Sequence, residues 1–107
     1  MKLRVKVCGI TNLDDALCCV DAGADALGFI FYEKSPRYLP PLSAIKIIQK
    51  LPSFITAVGV FVNERREIIE QTIVETGIRI VQFSGDETPD QCIGYNVKVW
   101  KAFRFQN

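Results

Sequence analysis

The feature that most narrows the folds open to this chain is an alternation: short β-branched runs trade places with stretches of helical period, in units of roughly 25 residues. "LRVKVC" (3–8) precedes "TNLDDALCCVDAG", where Thr11 and Asp14 have capping-box spacing, Leu13, Ala16, Leu17 and Val20 share a helical face, and Gly23 supplies a stop. "ADALGFIF" (24–31) is a second strand, and the loop "YEKSPRYLPP" leads into a helix over 42–51. "FITAVGVFV" (54–62) is a third strand; Asn63 is placed to cap the helix "ERREIIEQTIVET", which Gly77 ends. "IRIVQFSG" (78–85), a helix start at Thr88, Pro89 and Gln91, and a fifth strand in "YNVKVWKAFRF" complete the series.

Alternation of this kind implies parallel strands joined by right-handed crossovers, in a single α/β domain over 1–107 with no linker or low-complexity break. Two architectures satisfy it: an open doubly wound sheet of receiver or flavodoxin type, and a partial TIM barrel of four βα units plus a fifth strand. Length favours the first, because a closed barrel takes ~250 residues. Strand chemistry favours the second. Arg4, Lys6 and Cys8 share one face of the first strand, opposite Leu3, Val5 and Val7, and Ile80, Gln82 and Ser84 share a face of the fourth. An interior strand of a doubly wound sheet is covered on both sides and reads as almost unbroken apolar residues. A mixed, polar inner layer suits the mouth of a barrel.

Composition removes several function classes. Thirteen basic and twelve acidic residues leave a net charge of +1 with no basic stripe, so nucleic acid is not an expected partner. The first strand carries charges and no apolar run reaches membrane-spanning length, which gives the expectation of a soluble, cytoplasmic protein. Cysteines 8, 18, 19 and 92 form no CxxC pair, and there is no histidine to complete a typical zinc set, so a metal site is not expected. In a reducing compartment Cys18, Cys19 and Cys92 read as small core residues. Without histidine, acid–base chemistry near neutral pH falls to a carboxylate, a lysine or a thiol.

In parallel α/β folds the working residues gather where strands end and loops begin. Cys8, Arg37, Asn63 and the pair Gln82 and Ser84 all stand at such positions, and each has a plainer reading: a core thiol, a solvated loop charge, a helix cap, and polar groups satisfying a loop. Cys8 is the best candidate base, since the following helix directs backbone N–H groups toward its turn and Lys6 shares its face, both favourable to an anion. Arg37 is the best anion-binding residue, because a guanidinium matches a carboxylate bidentately.

"KVCGIT", "DALGFIFYEKSPRYL", "VGVFVN", "VQFSGDE" and "KAF", in this order and at these intervals, resemble the amino-terminal half of the phosphoribosylanthranilate isomerase family of tryptophan biosynthesis. The resemblance implies a (βα)₈ barrel that converts an aminoaldose to an aminoketose by an Amadori rearrangement, with no cofactor. It implies that Cys8 is the general base, that Arg37 holds the anthranilate carboxylate, and that Gln82 and Ser84 touch a phosphorylated small-molecule substrate. The general acid and the phosphate-binding loops that the family uses fall outside these 107 residues, so this chain alone is expected to be inactive. One departure stands out: the family usually has Leu-His after the glutamine of "VQFSG", where this chain has Phe83 and Ser84. Open strand edges give the further expectation of a homo-oligomer. Two other readings compete, a non-catalytic half-barrel that serves as an assembly module and a small receiver-like binding domain marked by Lys101.

Overall fold

The computed structural model describes residues 4–102; Leu3 and positions 103–105 of the expected fifth strand lie outside them. The elements are β1 (Lys6–Cys8), α1 (Leu13–Asp21), β2 (Ala26–Ile30), α2 (Pro41–Ile48), β3 (Thr56–Phe61), α3 (Arg66–Thr76), β4 (Ile80–Phe83), a 3₁₀ turn (Pro89–Cys92) and β5 (Lys98–Lys101). All five strands are parallel and lie side by side in the order β1-β2-β3-β4-β5.

That order decides between the two architectures. A doubly wound sheet reverses direction at a switch point and so places helices on both faces. Here every crossover steps the same way, and right-handed crossovers then put all helices on one side. The receiver-like reading is thereby overturned. Leu27, Phe29, Phe61, Val81 and Phe83 point to the helical side and are buried with Ala16, Ala44, Ile47 and Ile69 of the helices. Ala26, Val58 and Ile80 form a second, smaller buried cluster on the opposite face.

The sheet is strongly curled. The Lys6 ammonium on β1 donates to Oε1 of Gln82 on β4 and lies 5.6 Å from the centre of the Trp100 ring on β5. On a flat sheet β1 and β4 would be separated by three strand spacings, ~14 Å, with their side chains pointing the same way. These contacts form only if the inner face closes in on itself as a barrel wall does.

Several local expectations shift by a residue or change character. The cap of α1 is Asn12, not Thr11: Asn12 Oδ1 accepts from the Asp15 N–H at 2.8 Å and its Nδ2 donates back to the Asp15 carboxylate at 2.9 Å. Thr88 and Gln91 do form a capping box, yet the element they start is one 3₁₀ turn rather than a full helix, because Gly94, with φ of 82°, turns the chain toward β5 almost at once. Cys18 is exposed, while Cys19 and Cys92 are partly buried against the core. Among the described residues no helix is long and apolar enough to cross a membrane, and no group of three His, Cys, Asp or Glu could hold a metal ion.

Candidate active site

The C-terminal ends of the strands form the mouth of the curled sheet. At the end of β1 the Cys8 Sγ lies over Gly28 of β2, where an added Cβ would stand 2.9 Å from the sulfur and 3.2 Å from the Cys8 Cα. Gly28 is thus the residue that makes room for the thiol on the inner face. The next two N–H groups, of Gly9 and Ile10, both donate to the Gly28 carbonyl at 3.0 and 3.1 Å, which fixes the turn leaving β1. Gly9 takes φ of 90°, a conformation that side chains disfavour.

Arg37 arrives from the β2–α2 loop. That loop is folded on itself by three bonds around Ser35: its N–H donates to the Tyr32 carbonyl, its carbonyl accepts from Tyr38, and its Oγ accepts from the Arg37 N–H. Leu39 then donates to the Ile30 carbonyl at 3.0 Å, clamping the loop to the end of β2. The Arg37 side chain lies directly against Gly9: a Cβ there would stand 2.6 Å from its Cδ and 2.9 Å from Nη1. Cys8, Gly9, Thr11 and Arg37 line one shallow hollow of about 340 Å³ together with Asp15 and Cys18 of α1, so it opens between the turn after β1 and that helix. Among the described residues no carboxylate forms a salt bridge with the guanidinium.

On β4, Gln82 and Ser84 come together as their spacing implies. The Gln82 Nε2 donates to Ser84 Oγ at 3.1 Å, while its Oε1 accepts from Lys6. Lys6 is therefore engaged across the inner face by β4 and β5.

Asn63 is not a helix cap. It adopts φ of 51°, two residues ahead of the true N-cap Arg65, and staples two loops. Its Oδ1 accepts from the Asp86 N–H at 2.9 Å and its N–H donates to Glu87 Oε2 at 2.7 Å. Glu87, which the sequence did not single out, is buried and ties the cluster together by also accepting from the Gly85 N–H at 2.9 Å and from Lys101 Nζ at 2.7 Å. Burial pushes its carboxyl up, but the Lys101 hydrogen bond, the backbone N–H groups and the Lys101 charge outweigh it and hold the carboxyl below its usual value. Lys101 shares a face with Val99, which touches the helical core, and so does not crowd Arg4 and Lys6 on the inner side.

A second hollow, about 570 Å³, lies on the helical side, lined by residues that include Asn63, Arg66, Phe83, Glu87 and Tyr95. It exists because one 3₁₀ turn stands where a full helix would cover β4 and β5. Tyr95 fills part of the gap, with the Arg66 guanidinium 4.1 Å from its ring centre and Phe83 at 5.8 Å. Cys8 and Arg37 do not line it.

A sheet of five parallel strands wound in one direction and curled about a polar inner layer, with a thiol and a guanidinium at its C-terminal end, defines a partial TIM-type (βα) barrel. The family model for N-(5′-phosphoribosyl)anthranilate isomerase matches residues 5–107, and the chain belongs to that family. It is 51% identical over 105 residues to the N-(5′-phosphoribosyl)anthranilate isomerase of Trichlorobacter lovleyi, covering 98% of this chain and 51% of the relative. It is similar in structure to monomers derived from the dimeric Thermotoga maritima isomerase, with a TM-score of 0.92 and 45% identity, covering 99% of this chain and 56% of that one. A phosphoribosylanthranilate isomerase in complex with reduced 1-(o-carboxyphenylamino)-1-deoxyribulose 5-phosphate matches at a TM-score of 0.90 and 47% identity, covering 94% of this chain and 53% of that one. The chain spans about half the length of the curated relatives it matches.

Proposed function

We propose that these 107 residues form one domain, the amino-terminal half of a phosphoribosylanthranilate isomerase barrel, and carry the proton-abstracting side of its site. Cys8 is the general base. As a thiolate it takes the proton from the sugar carbon next to the protonated imine; the C–H electron pair becomes the C=C bond of an enolamine while the C=N π pair withdraws onto the nitrogen, and the enolamine tautomerises to the ketose. Arg37 holds the anthranilate carboxylate through its paired N–H groups, and Gln82 and Ser84 contact the substrate from β4. The observation that carries this reading is the placement of Arg37 across Gly9, which sets a guanidinium without a carboxylate partner among the described residues beside the turn that presents Cys8. The carboxyphenyl and phosphate groups of the ligand bound by the similar isomerase are of the chemistry such a site would meet.

The family resemblance assigns the acid that opens the sugar ring and the loops that grip the phosphate to the other half of the barrel, which a complementary half-barrel would supply. A location in the cytoplasm accords with a biosynthetic role. The described portions of β1 and β5 each have a strand neighbour on one side only, which supports association of two copies or with a complementary half-barrel. Mixing the chain with the carboxy-terminal half of a relative and assaying isomerisation tests the reading: activity in the mixture that vanishes with Cys8→Ala supports it, and activity that survives that change contradicts it.

A further inference from the structure

The Lys6, Gln82 and Ser84 chain has a direction that the chemistry of its members imposes. A lysine ammonium offers three donors and no acceptor, so the Gln82 oxygen must face it. The Gln82 NH₂ must then face Ser84, and Ser84 Oγ at 3.1 Å must accept. The serine hydroxyl has one hydrogen left, and no acceptor takes it among the described residues. Ser84 is only partly buried, at the end of β4 and on the same inner face as Cys8.

From this we infer that Lys6 is a positioning residue whose charge, relayed through the Gln82 amide, makes the Ser84 hydroxyl a hydrogen-bond donor to an acceptor oxygen of the bound sugar. This rests on the isomerase reading of the site. Lys6 does not touch the ligand; it fixes the amide orientation, and the polarised amide strengthens the hydroxyl as a donor. Trp100, 5.6 Å from the ammonium, supplies the other wall that keeps Lys6 pointed at β4. A hydroxyl so directed selects for a ligand oxygen that accepts and against a group that can only donate.

Two measurements test it, and they fail separately. The first uses the chain alone and the NMR signals of the Gln82 side-chain amide. The native chain gives a nuclear Overhauser contact between one Nε2 proton and the Ser84 Cβ protons; Lys6→Met loses it and Lys6→Arg keeps it. A contact unchanged in Lys6→Met overturns the relay whatever the chain catalyses. The second uses the chain complemented with a carboxy-terminal half-barrel. Ser84→Ala, Lys6→Met and Gln82→Glu each raise KM about 2- to 10-fold, the scale of one neutral hydrogen bond, with kcat nearly unchanged. Gln82→Glu is informative because its carboxylate keeps the Lys6 contact but accepts the Ser84 hydrogen and so consumes the donor. In the Ser84→Ala background neither of the other changes adds to the effect; additive losses overturn the inference. A complemented enzyme with no turnover strikes the isomerase reading, while the amide contact still decides the direction of the chain.

Discussion

Arg37 and Gly9 are so close that a single methyl group on Gly9 would stand 2.6 Å from the arginine Cδ. The missing side chain of one residue is the seat of the other, and the same glycine turns the chain directly after Cys8 with φ of 90°. Gly9→Ala therefore acts twice. The left-handed conformation alone costs about 1–2 kcal/mol in a residue with a Cβ, enough to lower Tm by roughly 5–15 °C in a domain of this size. The displaced guanidinium raises KM in the complemented enzyme as well. Thermal unfolding and steady-state kinetics check the two effects separately.

The Glu87 cluster gives a pH-dependent prediction with a definite sign. A carboxyl held below its unfolded value of 4.5 contributes stability that is fully present above that pH and is lost as pH falls through the lower folded value. Glu87→Gln removes the charge that Lys101 and the Asn63 and Gly85 N–H groups meet, and costs about 1–3 kcal/mol at pH 7. Urea midpoints for the native and variant chains differ most near neutrality and converge below pH 4.5. A gap that widens in acid would contradict the assignment.

Gly28→Ala is expected to be costly for a residue within a strand, where alanine ordinarily fits. Its Cβ would stand 2.9 Å from Cys8 Sγ and 3.2 Å from the Cys8 backbone, and only the sulfur can swing aside. Alkylation of Cys8, followed by peptide mapping against Cys18, reports the move: the ratio of the two labelling rates changes in Gly28→Ala and not in the helix-surface variant Val74→Ala.

Association is expected at working concentration. β1 and β5 each pair on one side only among the described residues, and Trp100 stands about two-fifths exposed on the inner face. Light scattering over a dilution series gives masses above the 12.0 kDa of one chain at high concentration. A mass of one chain throughout the series removes this part of the proposal.

Period-two patterning was sufficient to put Lys6 with Cys8 and Gln82 with Ser84, since alternation along a strand is a local property. It could not bring Lys6 to Gln82, which is 76 residues away, because only the curl of the sheet does so. Asn63 reads as a cap because asparagine often is one; its positive φ and its partner Asp86, 23 residues on, arise from how two loops meet. Glu87 hides in "SGDE", where an acid next to a glycine turn looks solvated, and its burial depends on Lys101 arriving from β5. The choice between barrel and doubly wound sheet turned on strand order, which the polar face of β1 anticipated and the length of the chain did not.

The most direct measurement is the rate of phosphoribosylanthranilate isomerisation by this chain alone, by the chain mixed with a carboxy-terminal half-barrel, and by the same mixture carrying Cys8→Ala or Arg37→Ala. The chain alone is expected to give no turnover, and the mixture to give turnover. Cys8→Ala lowers kcat by at least ~10²-fold, as for removal of a general base, and Arg37→Ala raises KM. Isomerisation in the mixture that persists undiminished in Cys8→Ala would contradict the assignment of the thiol as the base.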